Sequence, residues 1–99
     1  MTAAPRSRET EIICKAIRQR TLLEFQYDGR PRRVAPYCYG TSTRGTAVLR
    51  AIEAQGARFG KLWAVEKMVG LRISEETFEP NDPHYNPNDS AMTQIYCRI

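Results

Sequence analysis

With 99 residues, 41% of them hydrophobic, the chain has material for one compact core and not for two. Its apolar runs, such as Leu22-Leu23 and Ala47-Val48-Leu49, fall far short of the roughly 20 residues that a membrane-spanning helix needs. The early charges of MTAAPRSRETEI leave no apolar stretch for a secretory signal, so a soluble, cytoplasmic, prokaryote-type protein with no membrane partner is expected. The net charge of +4 is unevenly held: residues 1 to 50 carry ten Lys or Arg against four Asp or Glu, and residues 51 to 99 carry five against seven. The first half is therefore the part able to attract phosphates or another acidic partner.

Residues 8 to 20 place Ile12, Ile13, Ala16 and Ile17 at helical spacing, while Lys15, Arg18 and Gln19 face water. Ser7 is the candidate N-cap, Glu9 and Glu11 lie in the first turn, and Arg18 and Arg20 lie in the last, each sign matching the helix dipole. From residue 22 the period changes to two. Leu23, Phe25 and Tyr27 share one face, Glu24 and Gln26 the other, and Asp28-Gly29 supplies a tight hairpin turn.

A return strand is expected over about 31 to 37, with Pro36 near its end, followed by a polar loop from Gly40 to Gly45. TAVLRAIEA (46 to 54) reads as a central strand, Gln55-Gly56 as the start of a turn, KLWAVEKM (61 to 68) as an alternating strand, and Gly70 to Ile73 as one more short strand. Sequential short strands behind one helix, with no crossover helix for a parallel sheet, predict a mainly β fold: a small barrel of about five strands over residues 22 to 74. Residues 75 to 99 form an extended C-terminal arm in this expectation. Phe78 and Tyr85 pin it, and Ile95 to Cys97 close it as a strand or short helix.

Chemistry-bearing motifs are few. His84 is the single histidine and has no Ser or Cys nucleophile near it in sequence. Glu75, Glu76 and Glu79 read as a solvated surface. GTSTRGTA (40 to 47) mimics a phosphate loop, but the lysine position is Thr46 and the following hydroxyl position is Ala47, so only a weaker backbone nest remains. Cys14, Cys38 and Cys97 are odd in number, widely spaced and without a CxxC pair. This pattern argues against a disulfide framework and against zinc, and makes them small buried hydrophobes. No enzyme, metal or cofactor is expected.

A helix ending AIRQR, then LLEFQY, the arginine-rich RRVAP, a glycine loop, a strand ending LRA, KLWAVEKM, an ETF segment and Asn86-Pro87-Asn88-Asp89 together resemble the WYL domain of prokaryotes, over roughly residues 12 to 99. They are most similar to its short stand-alone members. The naming tripeptide falls at Ala47-Val48-Leu49, which keeps only the leucine. The family's RxFRLDRI pattern falls on Lys61 to Met68, without its second arginine. The resemblance implies an Sm-like (SH3-type) small barrel behind a helix, and a regulatory role in sensing ligands that include single-stranded nucleic acid.

The residues put forward for an anionic ligand are Arg33, Arg50, Lys61 and Lys67, with Tyr37 as a stacking platform; Tyr39 is a second stacking candidate. Arg33 stands where the family pattern carries its arginine. Arg32 and Arg33, as strand neighbours, point to opposite faces. Arg50 interrupts an apolar strand and needs a partner, with Glu53 or Glu24 as candidates. Lys61 and Lys67 are six residues apart, roughly 20 Å on an extended strand, a span suited to a strand of nucleic acid rather than a small anion. Trp63 reads more readily as core than as a platform. The expected ligand is single-stranded DNA or RNA or a nucleotide. The alternative is a protein-interaction or self-association module, with a regulatory protein or a second copy as partner.

Overall fold

The computed structural model describes residues 7–54 and 60–99, so the turn expected at Gln55-Gly56 lies outside the described residues. Helix α1 (Arg8–Gln19) opens at Ser7, whose hydroxyl accepts the Thr10 N–H, and ends at Arg20 in the left-handed conformation at φ 58°. Ile13, Cys14, Ala16 and Ile17 turn inward and Ile12 packs at the margin of the core.

Six strands follow: β1 (Thr21–Tyr27), β2 (Arg30–Ser42), β3 (Ala47–Glu53), β4 (Lys61–Ala64), β5 (Val69–Thr77) and β6 (Met92–Arg98). All pairings are antiparallel in the order β4-β3-β2-β1-β5, and β6 also pairs with β2. The fold is thus mainly β with one N-terminal helix, as expected. Among the described residues no ladder joins β4 to β5, so the sheet is open rather than a closed barrel. A 3-10 turn, Val65–Lys67, connects the two. No helix among the described residues is long and apolar enough to cross a membrane.

Asp28 and Gly29 both take positive φ, 53° and 74°, which matches their turn to the twist of the β1–β2 hairpin. Leu23 and Phe25 are buried on one face while Gln26 is exposed on the other. The return strand is longer than its sequence suggests, because Pro36 does not end it. Along one edge β2 pairs with β1 as far as Val34 and with β6 from Cys38, and its register to β3 shifts between Pro36 and Cys38. Proline sits where the ladder is already interrupted, so its missing N–H costs little.

Three further expectations are corrected. KLWAVEKM leaves the strand at Ala64, so Lys67 belongs to the 3-10 turn and does not share a strand with Lys61. The C-terminal arm is shorter than 75 to 99, since Glu75 to Thr77 extend β5 and Met92 to Arg98 form β6. Cys14 of α1 and Cys97 of β6 are joined in a disulfide across 83 residues, with Cα atoms 5.7 Å apart; a wide spacing is uninformative once the fold brings two chain ends together. Only Cys38 is a buried free thiol.

Trp63 is fully buried at the centre of the main core. Its Nε1 donates to the Ala51 carbonyl at 3.2 Å, and the rings of Phe25 and Tyr27 meet it edge-on with centroids at 5.5 and 5.0 Å. A second cluster lies beneath the arm, where Phe78 and Tyr85 cover Tyr37 at centroid distances of 5.6 and 5.2 Å. The arm is pinned there as expected, and Tyr85 Oη further donates to the Ile99 carbonyl at 3.1 Å.

Candidate functional site

The hairpin register places Glu24 opposite Arg33 and Phe25 opposite Arg32. On the other side of β1, strand β5 sets Arg72 opposite the same Glu24. Three side chains from three adjacent strands therefore form one row on the outer face. Glu24 Oε2 accepts from Arg33 Nε at 3.1 Å, and Glu24 Oε1 accepts from Arg72 Nε at 3.0 Å. Arg33 Nη1 also donates to Glu76 at 3.1 Å.

Arg32 lies at the opposite parity, on the core side. Its guanidinium carbon stands 5.5 Å from the centre of the Trp63 ring, and its Nη1 donates to Glu53 at 3.2 Å. Among the described residues its buried Nε has no hydrogen-bond partner, an arrangement that costs free energy unless something else is gained. Despite their opposite parity, Arg32 and Arg33 both line one groove of about 440 Å³, together with Arg72, Glu24, Gln26 and Glu53. The two side chains do diverge, Arg33 to Glu24 and Arg32 to the Trp63 ring, yet both line the groove.

The pairs of Arg33 and Arg72 are weakly held, whereas Arg32 and Glu53 are largely shielded at 18% and 33% exposure. Arg33 and Arg72 keep 45% and 69% of their side-chain surface in water, and exposed pairs of this kind contribute about 0–1 kcal/mol each. The guanidiniums are thus positioned by carboxylates without being locked to them. A solvent-borne oxyanion can compete for their fork-like donors.

The five residues singled out from the sequence do not all meet here. Arg33 lines the groove. Lys61 stands at the Trp63 ring, its Nζ 4.7 Å from the centroid, and so shares that ring with Arg32. Lys67 lies on the 3-10 turn.

Arg50 faces the arm, where Nε and Nη2 donate to Asp89 Oδ2 and Oδ1 at 2.7 and 3.2 Å. Its partner is neither Glu53 nor Glu24. With Asp82, His84 and Ser90 the pair lines a second, smaller pocket of about 240 Å³. The Arg50 side chain holds the Asp89 carboxyl below its ordinary value of 3.8 through these hydrogen bonds, against the opposing effect of burial.

Tyr37 is 3% exposed beneath Phe78 and Tyr85, and Tyr39 is 2% exposed with its hydroxyl 2.7 Å from that of Thr10. Neither ring is available for stacking, because the arm and the helix have already buried them. Arg72 and Glu24 were not among the sequence candidates. Glu24 sits across the hairpin from Arg33 at a spacing the Asp-Gly turn fixes, a signal present in the sequence; Arg72 required knowledge of the β1–β5 pairing.

Other chemistry finds little support in the arrangement. Among the described residues no group of three His, Cys, Asp or Glu is placed to hold a metal ion. Burial pushes the Cys38 thiol up to about 11, the opposite of what a nucleophile needs. Gly40 to Ser42 belong to β2 rather than to the expected polar loop; at the turn that follows, Ser42 Oγ accepts the N–H groups of Arg44 and Thr46, and the Ser42 carbonyl accepts that of Gly45. The amides of Arg44, Gly45 and Thr46, which a phosphate nest there would use, are already taken. Comparison with family models, with curated proteins and with solved structures gives no match for the chain.

Proposed function

We propose that this chain is a WYL-like, non-enzymatic regulatory module that recognises an anionic ligand, single-stranded nucleic acid or a nucleotide, in the groove formed by β1, β2 and β5. The observation that carries this is the convergence of Arg32, Arg33 and Arg72 on one groove of about 440 Å³, within the roughly 300–1,000 Å³ range of small-ligand sites. Lys61, beside the same tryptophan as Arg32, extends the positive character toward β4. Antiparallel strands behind an N-terminal helix agree in outline with the small β domain that the resemblance implies, although the sheet is open where that fold is a closed barrel.

The ligand contact is dominated by phosphate, since Tyr37 and Tyr39 are buried and offer no stacking face. A labelled single strand titrated at several salt concentrations tests this. Affinity falls by about 0.7 log units per tenfold salt for each phosphate contact, and Arg33→Ala or Arg72→Ala removes about one contact from the slope. Salt-independent binding, or slopes unchanged in both variants, contradicts the groove as the site.

One feature favours self-association as a second function. Val69 is 67% exposed at the start of β5, and β4 and β5 are the two ends of the strand order. An edge of this kind invites strand addition by another chain. Light scattering decides it: a dimer that Val69→Lys dissociates supports the edge, whereas a monomer at every concentration rejects it.

A further inference from the structure

We infer that Glu24 is a resident competitor in the arginine groove: it occupies the position of a ligand oxyanion between Arg33 and Arg72, and a phosphate-bearing ligand binds by displacing it. This rests on the groove being the anion site. The two Nε donors come from different strands and end on the two oxygens of one carboxylate, at 3.1 and 3.0 Å. Two guanidiniums arranged this way around a single two-oxygen anion form a recognition geometry already filled from within. A phosphate offers at least two oxygens in similar directions.

Exposure supports the exchange. Glu24 is 19% exposed beneath guanidiniums that are 45% and 69% exposed, so an incoming anion reaches the arginines from outside while the carboxylate lies underneath. With Glu24 ionised, the ligand meets like-charge repulsion as well as occupied donors. Glu24→Gln removes the charge and one of the two accepting oxygens. Glu76 is a different case: it pairs with Arg33 and is 61% exposed.

The ligand is then one that carries a phosphate with two free oxygens, whether a diester in a strand or a free phosphorylated compound. An uncharged hydrogen-bonding ligand gains nothing from the loss of Glu24. The first belongs to this site and the second does not.

The test measures binding of a labelled oligothymidylate of roughly ten nucleotides, with inorganic pyrophosphate as a competitor, to the full chain and to Glu24→Gln and Glu66→Gln. Glu66 is exposed on the 3-10 turn away from the groove lining, so its replacement changes net charge equally without touching the network. Circular dichroism and the unfolding midpoint verify that each variant is folded. Glu24→Gln is expected to bind about tenfold tighter or more, Glu66→Gln within about twofold of the parent, and Glu24→Gln combined with Arg72→Ala to lose the gain.

Binding by Glu24→Gln alone, with none by the parent, also supports the competitor. Equal tightening in both glutamine variants, or weaker binding in Glu24→Gln, overturns it while leaving the groove as the site, because Glu24 then only positions the arginines. No binding by any of the proteins overturns both the competitor and the groove. Pyrophosphate displacing the strand indicates that phosphate itself is read; failure to displace it limits the site to polymeric ligands.

Discussion

Arg50 and Asp89 meet as a two-pronged pair, Nε to Oδ2 at 2.7 Å and Nη2 to Oδ1 at 3.2 Å, and they tie the C-terminal arm to the middle of strand β3. Asp89 also accepts the Ala91 N–H at 3.0 Å, which fixes the chain just before β6. This charged pair acts with the Phe78 and Tyr85 contacts to set where the arm crosses the sheet.

Loss of either partner has unequal consequences. Asp89 is 8% exposed and Arg50 28%, so Arg50→Ala strands a buried carboxylate, at a cost of roughly 3–4 kcal/mol, while Asp89→Asn leaves an arginine that water can reach, at roughly 1–2 kcal/mol. Asp89 titrates lower when folded than its ordinary 3.8. Its stabilisation is accordingly present above that value and is lost as the pH falls through the lower folded one. Urea unfolding of the parent and Asp89→Asn from neutral pH downward shows their difference shrinking only below about 3.8; a difference independent of pH contradicts the pairing.

The cysteines give a second, independent check on the fold. Cys14–Cys97 closes a separation of 83 residues, so reduction or Cys97→Ser lowers stability by roughly 2–5 kcal/mol. Protein prepared without reductant shows one reactive thiol in denaturant and three after reduction, since only Cys38 is free. Cys38 stays unlabelled in the native protein near neutral pH, because burial raises its thiol to about 11. Three reactive thiols before reduction contradict the link.

Gly40 marks a close approach between two backbones. A Cβ there falls on the carbonyl oxygen of Gln94, in the strand paired with it. Neither main chain has a side chain to swing aside. Gly40→Ala therefore forces β6 away from β2, at a cost of roughly 1–3 kcal/mol, with hydrogen exchange rising first in β6. Unchanged protection of the Ile95 and Tyr96 amides contradicts the contact.

Local signals were the legible ones. The helix is written in Ser7, the Ile13, Ala16 and Ile17 stripe and the charges at its ends, and the hairpin in Asp28-Gly29 between alternating runs. Both depend on neighbours within a few residues, and both form as expected. Pro36 misled because a proline inside a strand is tolerated only where the ladder breaks, and that break depends on β1 and β6 sharing one edge of β2. Lys61 and Lys67 were separated by a turn that an alternating pattern does not reveal.

The groove was half visible. Arg33 and Glu24 face each other by hairpin register alone, but Arg72 joins them only through β5, and Asp89 reaches Arg50 from 39 residues away. Tyr37, chosen for its place beside the basic strand, lost its role to the arm that buries it.

The most direct measurement of the central claim is nitrogen-15 NMR of the arginine Nε–Hε groups during titration with a single-stranded oligonucleotide. The predicted result is saturable shifts in the Arg33 and Arg72 signals, with the Gln26 side chain following and Arg50 unmoved in its pair with Asp89. Shifts confined to Arg50 and the arm, or no saturable shift at low salt, would contradict the arginine groove as the binding site.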